Sequence, residues 1–373
     1  MRCVSRRREK MKKIVSVIVT FIILIALTAC SSDTQENTDN SPNVVTPVVT
    51  PEDSQPQTPD APLEPELPEH INPLTGLEVA ADREFTRPYA IMLNNIMQAQ
   101  PQYGISQANI IYEICAEGGI TRMLAVYQDI SDIGSIGSIR SARPYYVELA
   151  LGLDAIYIHA GGSEQAYSDI SSKGLTNYDG VRGSNEGNMF WRDSQRISTH
   201  GYEHSLFITG SHTAELIDGD SIRHEHEDGY NYEMNFAWQA TPENGYTANK
   251  VEVEFSSYKT GTFDYDSQTR LYKASQYGGA HIDAENGEQV SASNLFVLYT
   301  DERVIDGEGR LSVAVIGSGS GKFFCGGKGV DILWSKEAGG QLKYTLEDGT
   351  PLTCERGSSY VCIISNGNNV TIS

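Results

Sequence analysis

Three arginines beside apolar segments are the residues of this sequence with the clearest capacity for chemistry. Arg122 ends a Glu-Gly-Gly-Ile-Thr-Arg turn, and Arg140 and Arg143 lie in the segment IGSIRSARPYY (136–146). A guanidinium group is costly to bury without an anion, and its planar fork matches phosphate and carboxylate groups. A predicted helix follows Arg143, so backbone N–H groups can add to such a site. The pattern predicts a pocket for phosphate, pyrophosphate or carboxylate, completed by Arg122 and Arg192.

The same arginines could instead pair with carboxylates of their own chain. Glu113 and Glu117 are close to Arg122 in sequence, and Asp154 follows Arg140 closely enough to reach it. Such pairs would hold loops in place and leave no site for a ligand. The sequence leaves both interpretations open, and Glu113 and Glu117 are candidates to assist a ligand at the arginines.

His159 and Ser163 enclose the segment HAGGS after a predicted buried strand, where polar side chains often point into a site. His159 is therefore a candidate ligand-binding residue, with a structural hydrogen-bonding role as the alternative. Ser163 lacks the Gly-x-Ser-x-Gly pattern of a nucleophile elbow. It fits the N-cap of a helix that runs to about residue 170.

The sequence predicts neither a metal site nor a cofactor site. His224 and His226 stand two apart among carboxylates, but no third ligand follows at a fixed spacing. The segment 264–269 lacks the glycine and closing glutamate of an EF-hand. The glycine-rich segment 317–321 does not precede a predicted helix, so it is not a dinucleotide fingerprint.

The elements that must position these residues alternate between strands and helices. Apolar runs predict strands at 89–93, 110–113, 121–127 and 154–159, and residues 142–151 fit a helix. This alternation predicts an α/β layered domain over residues 71–240. Short alternating strands separated by Asp-Gly and Asn-Gly pairs predict a strand-rich β domain over residues 241–373.

The first seventy residues have the pattern of a secretion signal followed by a polar tether. A basic start and an apolar run ending in Leu-Thr-Ala-Cys indicate a lipoprotein signal peptide (1–29), with Cys30 carrying the lipid. Residues 30–70 are rich in proline and polar residues and cannot bury a core. Removing residues 1–29 takes away seven basic residues and one acidic residue, which changes the formal net charge from −21 to −27. Such a charge argues against nucleic-acid binding.

Four cysteines remain once Cys3 and Cys30 are set aside: Cys115, Cys325, Cys354 and Cys362. An extracytoplasmic location would permit a disulfide among the last three. Equally, all four can be buried as small apolar side chains.

Several motifs resemble the YerB-like bacterial lipoproteins, a two-domain family of unknown function found mostly in Gram-positive bacteria. The resemblance rests on residues 87–88, 100–113, 117–122, 136–145 and 154–163, and on residues 279–283, 294–297, 317–321 and 332–336. It implies two domains over residues 72–365 and no particular reaction. The family carries a Pro-His-Asn-Leu-Tyr-like segment after a Trp-Arg pair. Here His204 is the closer counterpart of that histidine, and His200 departs from the pattern.

Three functions follow as hypotheses. In the first, a lipoprotein on the outer face of the cytoplasmic membrane binds an anionic envelope component, or an envelope protein, through the arginine loops. In the second, the order of features resembles the LytR-CpsA-Psr glycopolymer transferases, and the arginines would hold a lipid pyrophosphate beside an apolar tunnel. In the third, the many tyrosines form a structural or partner-docking surface.

Overall fold

A computed structural model of the chain describes residues 68–183 and 187–373. The predicted signal peptide, Cys30 and nearly all of the predicted tether lie outside the described residues. Within the described ranges, no helix combines the length and the apolar character needed to cross a membrane.

The N-terminal half of the described chain alternates strands with short helices. Its strands are β1 (Tyr89–Asn95), β2 (Ile110–Cys115), β3 (Thr121–Tyr127), β4 (Ser135–Gly137), β5 (Ile156–His159), β6 (Asn177–Asp179), β7 (Phe190–Arg192), β8 (Leu206–Thr209) and β9 (Asn235–Ala237). Its α-helices are α1 (Pro144–Gly152), α2 (Glu164–Lys173), α3 (Ser194–Thr199) and α4 (Gly210–Asp218). Short 3-10 helices cover Met97–Ala99, Ile105–Gln107, Glu117–Gly119 and Tyr202–His204.

The C-terminal half is built from strands. They are β10 (Tyr246–Thr247), β11 (Lys250–Glu254), β12 (Thr260–Asp266), β13 (Leu271–Gln276), β14 (Gly279–Ala280), β15 (Ser291–Ala292), β16 (Asn294–Thr300), β17 (Glu302–Val304), β18 (Leu311–Val313), β19 (Gly317–Cys325), β20 (Lys328–Lys336), β21 (Lys343–Leu346), β22 (Thr353–Glu355), β23 (Ser359–Ser365) and β24 (Val370–Ile372). The predicted α/β class with a strand-rich C-terminal half is confirmed.

One sheet of eleven strands takes its members from both halves. Its order is β10-β20-β19-β16-β23-β2-β3-β1-β5-β6, with β21 beside β20. Strand β23 lies between β16 and β2 and runs parallel to both. The predicted boundary between residues 240 and 241 therefore separates two sequence halves that share a sheet, and its position stays a prediction.

A second sheet belongs to the C-terminal half alone, in the order β14-β13-β12-β11-β24 with β15 beside β13. Its strands alternate between buried and more exposed residues, as in β11 (Lys-Val-Glu-Val-Glu), because one face packs inward and the other meets solvent. By contrast, every residue of β1, β2 and β3 is buried. These continuous apolar runs place the three strands in the core. The polar residues at the ends of these strands are therefore buried as well.

The two predicted helices form, with one shift of boundary. Helix α1 begins at Pro144 rather than at residue 142, since the residue before a proline is driven out of the helical region. Arg143 is extended, with φ −136° and ψ 152°. Ser163 caps α2, and its hydroxyl accepts a hydrogen bond from the Ala166 N–H at 3.2 Å.

Candidate functional site

The adjoining ends of β1 and β3 carry polar residues that point to both faces of the central sheet. Asn94 lies opposite Arg122, and Asn95 lies opposite Thr121. Because neighbouring residues of a strand point to opposite faces, the sheet end carries two separate polar clusters. Asn94 and Arg122 belong to one face, whereas Asn95 and Thr121 belong to the other.

The first face holds the arginine cluster, which we define as Arg122, Arg140 and Arg143 with Glu117 and Glu203. Glu117 bridges two of its arginines: Arg122 Nη2 donates to Oε2 at 3.0 Å, and Arg143 Nε donates to Oε1. Both guanidinium groups also donate to nearby carbonyl oxygens, those of Ser141 and Ala142. The turn before β3 and the loop before α1 are thus fastened to each other through one carboxylate.

Burial changes the acid–base properties of this bridge. Removal from water, together with the nearby charge of Arg143, lowers the pKa of Arg122 to about 10. Burial also opposes ionisation of Glu117, but the hydrogen bond from Arg143 and the charge of Arg122 outweigh it and lower the pKa of Glu117. Arg122 and Glu117 are therefore both charged at neutral pH.

The third arginine of the cluster pairs with a carboxylate that faces solvent. Arg140 Nη2 donates to Glu203 Oε2 at 2.7 Å, and the Glu203 side chain is 58% exposed. The charge of Arg140 lowers the pKa of Glu203. The 3-10 helix Tyr202–His204 carries Glu203 and is held by Arg192, which donates to the Tyr202 carbonyl at 2.9 Å and lies 3.7 Å above the Tyr202 ring. The cluster opens to solvent on this side.

His204 joins that 3-10 helix to the sheet. Its Nδ1 accepts a hydrogen bond from Asn94 Nδ2 at 2.8 Å, and its Nε2 lies 3.5 Å from Glu203 Oε1. Burial lowers the pKa of His204, despite the opposing charge of Glu203. His204 is therefore neutral at pH 7 and positions Glu203 beside Arg140.

Several buried polar atoms on this face have no hydrogen-bond partner in the described part of the chain. They are Asn94 Oδ1, Arg122 Nε, Arg140 Nε and Tyr157 OH. Backbone pairing brings their residues together, because Arg140 N donates to the Met92 carbonyl and Tyr157 lies opposite Ala90 in the parallel pair β1–β5. Unpaired buried polar atoms are rare, and a concentration of them calls for a physical explanation.

Internal pairing, the alternative to a ligand site, is partly realised. Arg122 pairs with Glu117, as that alternative predicted. The predicted pair of Arg140 with Asp154 is wrong, because Asp154 is engaged elsewhere and accepts two hydrogen bonds from Arg223, each of 2.6 Å. At the predicted helix N-terminus, Pro144 has no N–H, and the N–H groups of Tyr146 and Val147 donate to the Arg143 carbonyl.

The predicted contact of Glu113 with the arginines is also wrong. Glu113 points to the opposite sheet face from Arg122 and is fully buried. Its carboxylate accepts hydrogen bonds from Thr121 at 2.6 Å and from Tyr360 at 2.6 Å, and it lies 3.0 Å from Lys259 Nζ. Asn95 Nδ2 donates to it at 2.8 Å. The alternation of side chains along β2 and β3 makes this separation unavoidable.

The sequence matches both domains of one protein family. Residues 74–223 match the N-terminal domain, and residues 251–361 the C-terminal domain, of a protein family of unknown function, DUF3048. The two matches together cover more than half of the chain. The chain belongs to the YerB-like family.

This YerB-like chain is 29% identical over 312 residues to the lipoprotein YerB of Bacillus subtilis (strain 168), a match that covers 81% of this chain and 88% of that protein. The fold is similar to the crystal structure of YerB protein from Bacillus subtilis, with a TM-score of 0.70 and 26% sequence identity. That match covers 81% of this chain and 99% of the solved one. The resemblance seen in the sequence motifs is therefore confirmed.

Two of the predicted site residues of the YerB-like chain lie outside the arginine cluster. His159 is fully buried, and its ring nitrogens contact the Gly161 carbonyl at 2.8 Å and Asn177 Oδ1 at 3.2 Å. Ser163 is occupied as the cap of α2. Neither side chain reaches the arginine cluster through a hydrogen bond that the described residues show.

Sequence reasoning missed Asn94, Glu203 and Lys259, which complete the two polar clusters. Nothing local marks Lys259 as buried, because it sits in a polar segment between Tyr258 and Thr260. Two asparagines at the end of an apolar strand were the available signal for Asn94. Among residues 68–183 and 187–373, no group of three or more His, Cys, Asp or Glu side chains is placed to hold a metal ion.

Proposed function

We propose that this chain is a lipoprotein, anchored through Cys30 to the outer face of the cytoplasmic membrane, that binds an anionic component of the cell envelope at the arginine cluster. The Leu-Thr-Ala-Cys motif, the polar tether and the similarity to a lipoprotein of Bacillus subtilis support the anchor. The single observation that carries the binding function is the unpaired Nε of both Arg122 and Arg140 beside a carboxylate that is open to solvent.

The charge balance of the cluster supports an incoming anion. Its three guanidinium groups share two carboxylates, which leaves one positive charge in excess on a chain whose formal net charge is −21. A charge of this kind is expensive to keep half-buried without a counter-ion. A phosphate or carboxylate group of the ligand would supply the missing charge and accept from the unpaired N–H groups.

Glu203 marks the position that the ligand would take. Its carboxylate already occupies a hydrogen-bonding position at Arg140, yet its side chain is mostly exposed and belongs to a single 3-10 turn. An exposed ion pair contributes little free energy, typically about 0.2–1 kcal/mol. A phosphate bound by two arginines can therefore displace Glu203 toward solvent at small cost.

A thermal-shift measurement on the full chain in detergent tests this function, with inorganic pyrophosphate and citrate as probes. We expect both anions to stabilise the protein, and the Arg140→Ala variant to lose that stabilisation. The matched control removes two exposed lysines from outside the cluster, Lys250→Ala with Lys343→Ala, and should keep it. If the Arg140→Ala variant and the lysine variant show equal anion-dependent shifts of the unfolding temperature, the stabilisation is nonspecific screening of charge.

The Arg143→Ala variant must be interpreted together with its effect on folding. Arg143 is largely buried against Glu117, so its loss can unfold the loop before α1. Arg140 is more exposed, which is why Arg140→Ala is the deciding variant. If neither anion changes the unfolding temperature, the proposal fails and a protein partner of the envelope becomes the hypothesis to test.

A further inference from the structure

A second candidate site lies between helices α1 and α2 and the segment that follows β18. It is an open cavity of about 250 Å³, which is smaller than the roughly 300–1,000 Å³ of pockets for drug-sized ligands. Its lining residues are Pro144, Tyr145 and Glu148 of α1, Asp169 and Lys173 of α2, and Val313, Ala314, Val315 and Ile316. The size indicates a small ligand, and the lining combines apolar groups with charges of both signs.

The two charged residues of α2 are not paired with each other. Asp169 and Lys173 are four residues apart and lie on the same face of the helix, a spacing that usually favours an ion pair. The Lys173 ammonium group donates instead to Glu148 Oε1, and no ion pair in the described part of the chain includes Asp169. The Asp169 carboxylate accepts through Oδ1 from Gln165 Nε2 at 2.8 Å. The cavity therefore has at its wall a negative charge without a counter-ion among the described residues.

Glu148 holds Lys173 in this orientation. The Glu148 side chain is buried, accepts from the Gly339 N–H at 3.1 Å and lies 3.4 Å from Lys336 Nζ. The Lys173 side chain is 37% exposed, and its ammonium group has further N–H donors to offer. Asp169 is partly exposed as well. A ligand in the cavity can thus reach an ammonium group and a carboxylate that are kept apart.

An exposed isoleucine forms the apolar side of the cavity. Ile316 is 45% exposed, whereas the neighbouring Val315 is buried. The chain turns sharply before them, because the Val315 N–H donates to the Val313 carbonyl at 3.0 Å. Pro144 of α1 is also only partly buried. An aliphatic group that covered Ile316 and Pro144 would remove apolar surface from water.

This arrangement matches the three substituents of an aliphatic α-amino acid. In such a molecule one carbon atom carries an ammonium group, a carboxylate and an aliphatic chain. The ammonium group can pair with Asp169, the carboxylate can accept from Lys173 Nζ, and the chain can lie against Ile316. A longer peptide carries its two charged ends on different residues, and a fatty acid has no ammonium group, so both match the cavity less well.

We infer that this cavity binds a free aliphatic α-amino acid, of which leucine is the representative. Asp169 and Lys173 recognise the two charges of the amino acid, and Ile316 recognises its side chain. The inference is independent of anion binding, because the cavity shares no residue with the arginine cluster.

Saturation-transfer NMR titration of the full chain in detergent tests the inference, with L-leucine and D-leucine as probes and protein-free micelles as the blank. Two analogues each lack one charge: 4-methylpentanoate has no ammonium group, and 3-methylbutylamine has no carboxylate. We expect the better-bound enantiomer of leucine to bind about fivefold more tightly than either analogue, and about fivefold more tightly than glycine, which has no side chain to bury. Saturable binding of neither enantiomer would overturn the inference, as would an equal affinity for leucine and any of the other three compounds.

Three variants locate the binding. Asp169→Asn should remove the preference for leucine over 4-methylpentanoate, and Lys173→Met should remove the preference over 3-methylbutylamine. Ile316→Ala should reduce the preference over glycine. Asp169 has no ion pair to lose in the described chain, and Ile316 is exposed. Glu148 keeps its contact with Lys336 when Lys173 is replaced, so all three variants should fold.

The matched control is Glu215→Gln, which removes an exposed carboxylate from α4, outside the cavity. It should keep all three preferences. If Asp169→Asn and Ile316→Ala also keep them, the inference is overturned. Loss of the preferences in these two variants, with an unchanged response to pyrophosphate, would support an amino-acid site that is separate from the arginine cluster.

Discussion

Glu113 and Lys259 form an ion pair in the interior, with 3.0 Å between Oε1 and Nζ and side chains that are 0% and 1% exposed. Glu113 comes from β2 of the N-terminal half, and Lys259 from the loop before β12 of the C-terminal half. Tyr360 Oη donates to the same carboxylate, so three distant segments meet at one group. This pair joins the two halves that the sequence presents as separate.

The first prediction concerns the loss of this pair. Lys259→Met leaves Glu113 buried without its cation, which should lower the free energy of unfolding by about 3–5 kcal/mol. Urea unfolding followed by circular dichroism measures the change. The double variant Glu113→Gln with Lys259→Met should recover much of it, because no lone charge then remains.

The control for this prediction is Lys250→Met, which breaks an exposed pair with Glu252. It should cost less than about 1 kcal/mol. A similar cost for Lys259→Met would show that the interior pair contributes no more than a surface one.

The second prediction is a loss of stability in mild acid through His281. Burial, with a contribution from the charge of Lys259, lowers the pKa of His281 to about 3 from an ordinary value of 6.5. Between pH 6.5 and 3, His281 therefore binds a proton in the unfolded chain but not in the folded chain. Stability is complete above pH 6.5 and falls as the pH decreases, by about 2 kcal/mol between pH 7 and 5.

Urea unfolding at the two pH values checks this effect. His281→Gln should reduce the difference between pH 7 and pH 5, leaving the part due to His204, whose pKa burial also lowers. His212→Gln, at an exposed histidine, should leave the difference unchanged. The prediction is wrong if His281→Gln and the unmodified chain lose equal stability.

The third prediction concerns Glu203 as a competitor for the anion. Glu203→Gln removes its charge from Arg140, so the affinity for pyrophosphate should rise about threefold, the equivalent of one exposed ion pair. Titration calorimetry measures it. Glu347→Gln is the control for the general loss of an exposed negative charge and should change the affinity less. A lower affinity in Glu203→Gln would instead show that Glu203 is needed in the bound state.

The fourth prediction concerns the four described cysteines, Cys115, Cys325, Cys354 and Cys362, which are all buried and unpaired. Burial raises the pKa of Cys354 to about 12, so its thiolate is scarce at neutral pH. Iodoacetamide should leave these thiols unmodified in the folded protein and modify all four in urea. Peptide mapping without reductant decides the matter, and a disulfide among them would contradict the structure.

The fifth prediction concerns the anchor. Cys30→Ser removes the sulfur that would carry lipid, so the variant should no longer incorporate radiolabelled palmitate in a bacterial host. Cys3→Ser should incorporate it normally, because Cys3 lies within the predicted signal peptide. Equal labelling of the two variants would contradict lipidation at Cys30.

Local sequence information was sufficient for the elements that carry the site. Continuous apolar runs located β1, β2 and β3, and Ser163 correctly indicated the start of α2. The pair of Arg122 with Glu117 was one of the predicted alternatives, because the two residues are five apart in the chain, whereas the pair of Arg143 with Glu117 was not predicted. The predicted contacts depend on short-range pattern, which a single sequence expresses well.

Long-range contacts were beyond the reach of the sequence. Arg140 meets Glu203 only because β4 and β8 pair, and Glu113 meets Tyr360 only because β2 lies next to β23. Strand order is set by the packing of the whole core, and no local spacing encodes it. The placement of Glu113 and Arg122 on opposite faces of the sheet likewise required the register of β2 with β3, which a one-residue shift would invert.

The position of β23 has a consequence for how the chain is made. Ile110 of β2 pairs in parallel with Ser359 of β23, the last strand of this sheet in chain order. A chain that crosses a membrane from its N-terminus cannot complete this sheet until residues 359–365 have emerged. Until then β2 exposes an unpaired apolar edge, which is a site for aggregation. Chaperoning during export should therefore matter more for this protein than for one whose sheet closes from neighbouring strands.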